Sequence, residues 1–273
     1  MDKPLWLWIV FGIIIVFLLT FDLCISRWKS RDLSIKTNII LSSLYIIITV
    51  MFGGWIWHQL GADLARKFFI GWSLEKTLAL DNVIIMACIF NYFGIPALYQ
   101  HRVLFWGIIG VIVLRAIVIY AGVTLVSTFS WVLFVFAALL IMMGIKMLFS
   151  SNTEPDISKN KALQFMNNHF RITKELHGNS FFITKIENGK KYLWCTPLFV
   201  ALVMIECIDI VFAMDSLPAI FAITTDTYII YTSNIFAILQ QFPLSFFVTQ
   251  ASQKANEPPF FLKVRKCCTI SNH

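Results

Sequence analysis

Long apolar blocks alternate with short polar stretches along this chain, and the blocks are continuous rather than striped. Runs of roughly 20 apolar residues recur, the length an α-helix needs to cross the hydrocarbon core of a bilayer. The pattern predicts helices over about 5–25, 38–57, 68–94, 103–126, 130–149 and 193–223, and a weaker seventh over about 229–248. The blocks are too long and too evenly apolar to be buried strands. Gln240, Gln241 and Pro243 interrupt the seventh. The expected fold class is all-α, a polytopic transmembrane helical bundle of about 7 helices. The expected organisation is a transmembrane domain over 1–249, including a cytoplasmic loop over about 150–192, and a polar, disordered tail over 250–273.

Charge placement gives the bundle a direction. The segment after the first helix holds Arg27, Lys29, Arg31 and Lys36. Arg102 follows the third helix, and Lys159, Lys161, Arg171, Lys174, Lys185, Lys190 and Lys191 follow the fifth. The opposite side has only Lys3, Arg66 and Lys67. Basic residues collect on the cytoplasmic side, so the N-terminus is expected outside. The net charge of +7 is therefore read as membrane topology, and nucleic acid is not an expected partner. Composition agrees: 14% of residues are charged, against about 25% in soluble domains. Arg27-Trp28-Lys29 follows the first block without a small-residue cleavage pattern, which makes that block a retained helix. The six cysteines show no disulfide framework or zinc spacing. Gly189-Lys190-Lys191 lacks the rest of a phosphate loop, and neither a metalloprotease motif nor an intramembrane protease pattern is present, so no enzyme is expected.

Ionisable residues inside the apolar blocks change the picture. Asp81 lies mid-way along the third helix, Glu75 toward its outer part, and Glu206, Asp209 and Asp215 in the sixth. Asp22 lies near the inner end of the first helix and Arg115 in the middle of the fourth. A charge at the centre of a membrane helix costs about 2.5–3.5 kcal/mol on insertion scales, and the usual reason for it is an ion path. Arg115 and Lys146 can neutralise two of the acids. The rest repel one another until a cation or a proton relieves them. Simpler roles stand beside these: Asp22 snorkelling to the interface, Glu75 pairing with Lys76 or sitting at the interface, Arg115 as a structural counter-charge, and Cys88 and Cys207 as small apolar filler.

The acids repeat. Glu75 to Val83 and Asp209 to Leu217 each read acid, five residues, then an aspartate followed by Asn82 or Ser216 and an apolar residue. The third helix runs inward and the sixth outward, so the two copies form an inverted repeat, the arrangement in which transporters build midplane sites. Glu206, Asp209, Ala213 and Ser216 share one helical face, whereas Asp215 points elsewhere unless the helix distorts. Pro218 supplies a reason for distortion by leaving the Met214 carbonyl without its donor. Carboxylate, amide, hydroxyl and carbonyl oxygens suit magnesium, calcium or manganese.

Glu75 to Phe90 resembles the first acidic signature of the TerC family, and Thr196 to Leu239 resembles the second. Phe21-Asp22-Leu23 and the stretch from His177 to Phe182 also look like family positions. The resemblance implies a multi-pass protein of a bacterial-type inner membrane, associated with manganese efflux, tellurite resistance and alkaline-pH responses. It implies a secondary exporter of a divalent metal ion, Mn2+, in exchange for protons and without a bound cofactor. The implied metal residues are Asp81, Asn82, Glu206, Asp209, Asp215 and Ser216, with Asp22, Glu75 and Arg115 supporting. A membrane scaffold or tellurite-stress protein without transport is the alternative. After Leu239 the expected Gly-Leu-Arg-like turn and further apolar helices give way to Gln240-Gln241-Phe242-Pro243, the pattern expected of a truncated gene or a shifted reading frame.

Overall fold

A computed structural model describes residues 3–28, 35–129, 131–149, 163–164, 166, 170–173, 175–187 and 190–255. Among them lie seven long helices: α1 (Leu5–Trp28), α2 (Ile35–Leu60), α3 (Ala62–Tyr92), α4 (Ala97–Thr128), α5 (Val132–Phe149), α6 (Pro197–Ile223) and α7 (Thr227–Ala255). A hairpin of β1 (Phe182–Glu187) and β2 (Lys190–Cys195) precedes α6. Three stretches, Ile40–Leu60, Tyr99–Thr128 and Pro197–Met214, are long and apolar enough to span a bilayer, and Leu5–Phe21 and Val132–Met142 are shorter apolar helices. The chain is a helical membrane bundle.

Several helix ends depart from the expected apolar blocks. α3 begins at Ala62 rather than about 68, and Asp63 and Lys67 form an i,i+4 ion pair at 2.8 Å in its first turns. The Lys67 ammonium holds the Asp63 carboxyl below its usual range. Gly61, at φ 92°, makes the left-handed turn between α2 and α3. α6 begins at Pro197 rather than about 193, since residues 193–195 belong to β2. Proline suits that first helical position because its missing N–H would have no partner there. Thr196 just before it turns its hydroxyl back, donating to the Ser180 carbonyl at 2.7 Å and binding the hairpin to the helix start. α7 begins after Asp226, whose Oδ1 accepts from the backbone N–H groups of Tyr228 and Ile229 at 3.1 and 3.2 Å. It continues to Ala255, past the expected end near 248 and into the segment expected to be a disordered tail.

α7 is the hub of the bundle. It packs chiefly along α3, and also on α4 and α2, while α6 packs on α4, α3 and α5. From Tyr228 to Gln241 every residue of α7 except Tyr231 is buried. Phe11, Phe52, Phe68 and Phe236 meet around it in a ring-on-ring core. The outer faces of α1 and α5 leave Ile13, Phe17, Phe134 and Ile141 exposed, as lipid-facing surfaces require.

Among the described residues, basic groups lie at both ends of the bundle. Lys3, Lys67 and the turn from Thr224 to Thr227 line one cleft of about 980 Å³. Lys3 pairs there with Asp226 at 3.2 Å. At the other end Arg102, near the start of α4, lies over the Phe181 ring beside the hairpin. Arg171 stacks on Tyr192, its guanidinium carbon 3.9 Å from the ring centroid.

Candidate functional site

Arg115 stands at the centre, 1% exposed, on a helix whose other arginine, Arg102, lies near its start. Its Nε and Nη2 donate to the two oxygens of Asp209, each at 3.1 Å, a bidentate fork from α4 to α6. Its Nη1 donates to Glu75 Oε1 on α3 at 3.1 Å. The same oxygen accepts from the Ser216 hydroxyl and from Asn234 Nδ2, both at 2.6 Å. Glu75, Asp209, Ser216 and Asn234 are all buried, so four helices close on one polar knot inside an apolar bundle. Glu75 therefore sits neither at the interface nor on Lys76 alone.

The helix faces explain the convergence. Asp209 and Ser216 are two turns apart on the face of α6 turned inward, while Met214 lies 65% exposed on the outside. α6 runs unbroken through Pro218, so the distortion expected there does not interrupt the helix. Glu75 meets Ser216, whereas Ile89 and Phe90 pack with Val200, Ala201 and Met204. Numbering rises along α3 as it falls along α6, and the two helices are antiparallel.

Glu206 occupies a different setting, one turn before Asp209. Both of its carboxyl oxygens are buried and neither meets a hydrogen-bond donor among the described residues. It reaches α4 where that helix has no side chains: Oε1 lies 3.8 Å from a Cβ built on Gly107, and a Cβ on Gly110 would overlap the carboxyl group. Asn82 Oδ1 and Asn234 Oδ1 are also buried without a donor among the described residues. Asn82 and Asp209 border a cavity of about 10 Å³, and Asp209, Gly107 and Gln241 border a second of about 30 Å³. The larger has room for a water-sized guest.

Among the described residues no group of three or more His, Cys, Asp or Glu is arranged as a ready metal cage. The side chains of Asp22, Asp81, Lys146 and Asp215, named from the sequence, lie outside the described residues, as do residues 256–273. No disulfide joins the described cysteines.

The model of the Integral membrane protein TerC family matches residues 60–257, the whole span from α3 to the end of α7 with both acidic repeats. The chain belongs to the TerC family. The match continues beyond Leu239, where the sequence suggested a departure. Similar proteins include an "Uncharacterized membrane protein" of Rickettsia conorii, 47% identical over 232 residues, covering 85% of this TerC chain and 76% of the relative. Another of the same description, from Myxococcus xanthus, is 38% identical over 248 residues, covering 91% and 76%. A Photorhabdus laumondii protein named "Putative membrane-bound redox modulator Alx" is 37% identical over 257 residues, covering 91% and 79%. No solved structure matches this TerC protein.

Of the residues named from sequence, the structure brings Glu75, Asn82, Arg115, Glu206, Asp209 and Ser216 into one region. It adds Asn234, which sequence reasoning missed. The available signal was an amide within an apolar span, the kind of residue that membrane helices keep for interhelical bonds.

Proposed function

We propose that this chain is a secondary transporter that exports a divalent metal ion, Mn2+ by preference, through the acids of α3 and α6 and in exchange for protons. On this reading it has no resident cofactor and does no covalent chemistry. The observation that supports it most is Glu206, a buried carboxyl with no donor among the described residues, one turn from an acid already claimed by Arg115. Among the described residues, Glu75, Asp209 and Glu206 are three carboxyl groups against one guanidinium, and when ionised they leave two negative charges, the charge of one divalent cation. Among the described residues of this region, the oxygens without donors belong to Glu206, Asn82 and Asn234, hard ligands of the kind manganese accepts.

The antiparallel helices also support an inverted repeat. Glu75 and Asp209 hold equivalent places in the two sequence copies, as do Asn82 and Ser216. Glu75 bonds Ser216, and Asn82 shares a cavity with Asp209. Each acid thus faces the other copy's polar residue, the reciprocity a two-fold axis produces.

The test is cell-associated manganese, by elemental analysis, in manganese-loaded cells that lack their own exporter. The unchanged chain is expected to lower it, and Glu206→Gln and Asp81→Asn to leave it high at matched membrane levels. Normal export by both variants would remove the site assignment, and no effect of the unchanged chain would remove manganese.

A membrane scaffold is the second reading, favoured by the closure of the Glu75–Arg115–Asp209 knot across four helices. It makes Glu206→Gln silent and ties any phenotype to the loop over about 150–192.

A further inference from the structure

Arg115 occupies the ground a substrate cation would need. It takes both oxygens of Asp209 and shares Glu75 Oε1 with Ser216 and Asn234. Among the described residues, the ligands left over in this region are Glu206, Asn82 Oδ1 and Asn234 Oδ1, one of them a carboxyl group. Asn82, nine-tenths or more buried, lines a cavity with Asp209, so an acceptor without a donor already lies beside the acid that the arginine holds. A divalent ion bound by Glu206 and Asn82 alone would lack a second carboxylate, and Asp209 cannot serve while it accepts a bidentate fork.

We propose that Arg115 is an internal competitor for the metal site. It neutralises Asp209 and Glu75 when the carrier is empty, gives up Asp209 when the ion binds, and helps to expel the ion when it returns. This inference rests on the metal-transport reading. A guanidinium suits the task because it does not lose its proton. It can make way only by moving, so each arrival of a metal is coupled to a rearrangement of the α4–α6 contact. An empty site that left Asp209 and Glu75 unpaired as well as Glu206 would be strongly disfavoured, and the competitor prevents that state. A purely structural Arg115 would instead hold the acids in place for the metal, and its removal would weaken binding.

The two roles give opposite signs in one measurement. The chain is purified in detergent as the unchanged protein, Arg115→Gln and Arg115→Lys, and Mn2+ binding is followed by the electron paramagnetic resonance signal of free Mn2+. Arg115→Gln is expected to bind Mn2+ at least about ten-fold more tightly than the unchanged chain, the scale on which a nearby charge changes a site. Arg115→Lys should fall between, because it keeps the charge but loses the fork. Export by Arg115→Gln should fall even as its affinity rises. If Arg115→Gln fails to accumulate, Arg115→Gln with Glu75→Gln keeps the net charge and still frees Asp209, and the same tightening is expected of it. Binding by the unchanged chain with equal or weaker binding by the variants would overturn the competitor role and leave the transport reading standing. No binding by any form would overturn both.

Discussion

Asn234 shows how a single neutral side chain completes a charged site. Glu75 Oε1 has three donors, and two of them, Ser216 and Asn234, come from α6 and α7 at 2.6 Å. Interhelical hydrogen bonds in membranes average about 0.6 kcal/mol in double-mutant cycles, because the alternative partners of an unfolded helix are also good. A buried carboxylate acceptor raises that figure. Asn234→Leu is therefore expected to cost about 1–2 kcal/mol and lower the thermal midpoint in detergent. Asn234→Asp should cost more, since it sets another acid against Glu75. An unchanged midpoint in both variants would mean that the bond adds nothing. The acids and Arg115 were legible in the sequence because a charge in an apolar block has few bland explanations. Their pairing was not legible, because spacing along one helix says nothing about which helix lies opposite. The Arg115 fork links positions 94 residues apart.

At the scale of the element, α2 offers an internal comparison between adjacent glycines. A Cβ on Gly53 would overlap the Phe69 ring of α3, whereas one on Gly54 would meet nothing within 4 Å. Gly53→Ala is expected to destabilise by about 1–3 kcal/mol through overpacking. Gly54→Ala should change stability little or raise it slightly, by up to about 1 kcal/mol of helix propensity. Equal melting temperatures would show that α2 and α3 can move apart without cost. Legibility at this scale follows the length of the apolar signal. The spans were readable because about 20 apolar residues admit little but a helix. The hairpin was hidden because its strands are 6 residues each and lie inside a polar loop. The Asn188-Gly189 pair between them is a strong hairpin signal. Gln240 counted as a flaw in the seventh helix, yet its Nε2 donates to Thr49 Oγ1 on α2 at 2.7 Å. Polarity that weakens an isolated span can be a ligand for its neighbour.

For the whole molecule, the two ends make a sidedness prediction. With the native cysteines replaced by serine, Lys3→Cys should react with a membrane-impermeant maleimide added outside intact cells, and Lys190→Cys should react only after the cells are opened. The reverse pattern would invert the topology drawn from basic residues. The same architecture bears on how the protein is made. α7 is enclosed by its neighbours, yet it follows them in the chain and leaves the ribosome after them. Until it arrives, α3 and α4 hold Glu75 and Arg115 beside an unfilled slot. When it arrives it brings Asn234, Gln240 and Gln241, groups that hydrocarbon rejects and the slot accepts. The earlier helices thus act as the receptor for the last, and a chain halted before Thr227 would present its charged seam to lipid, where membrane quality-control proteases could recognise it.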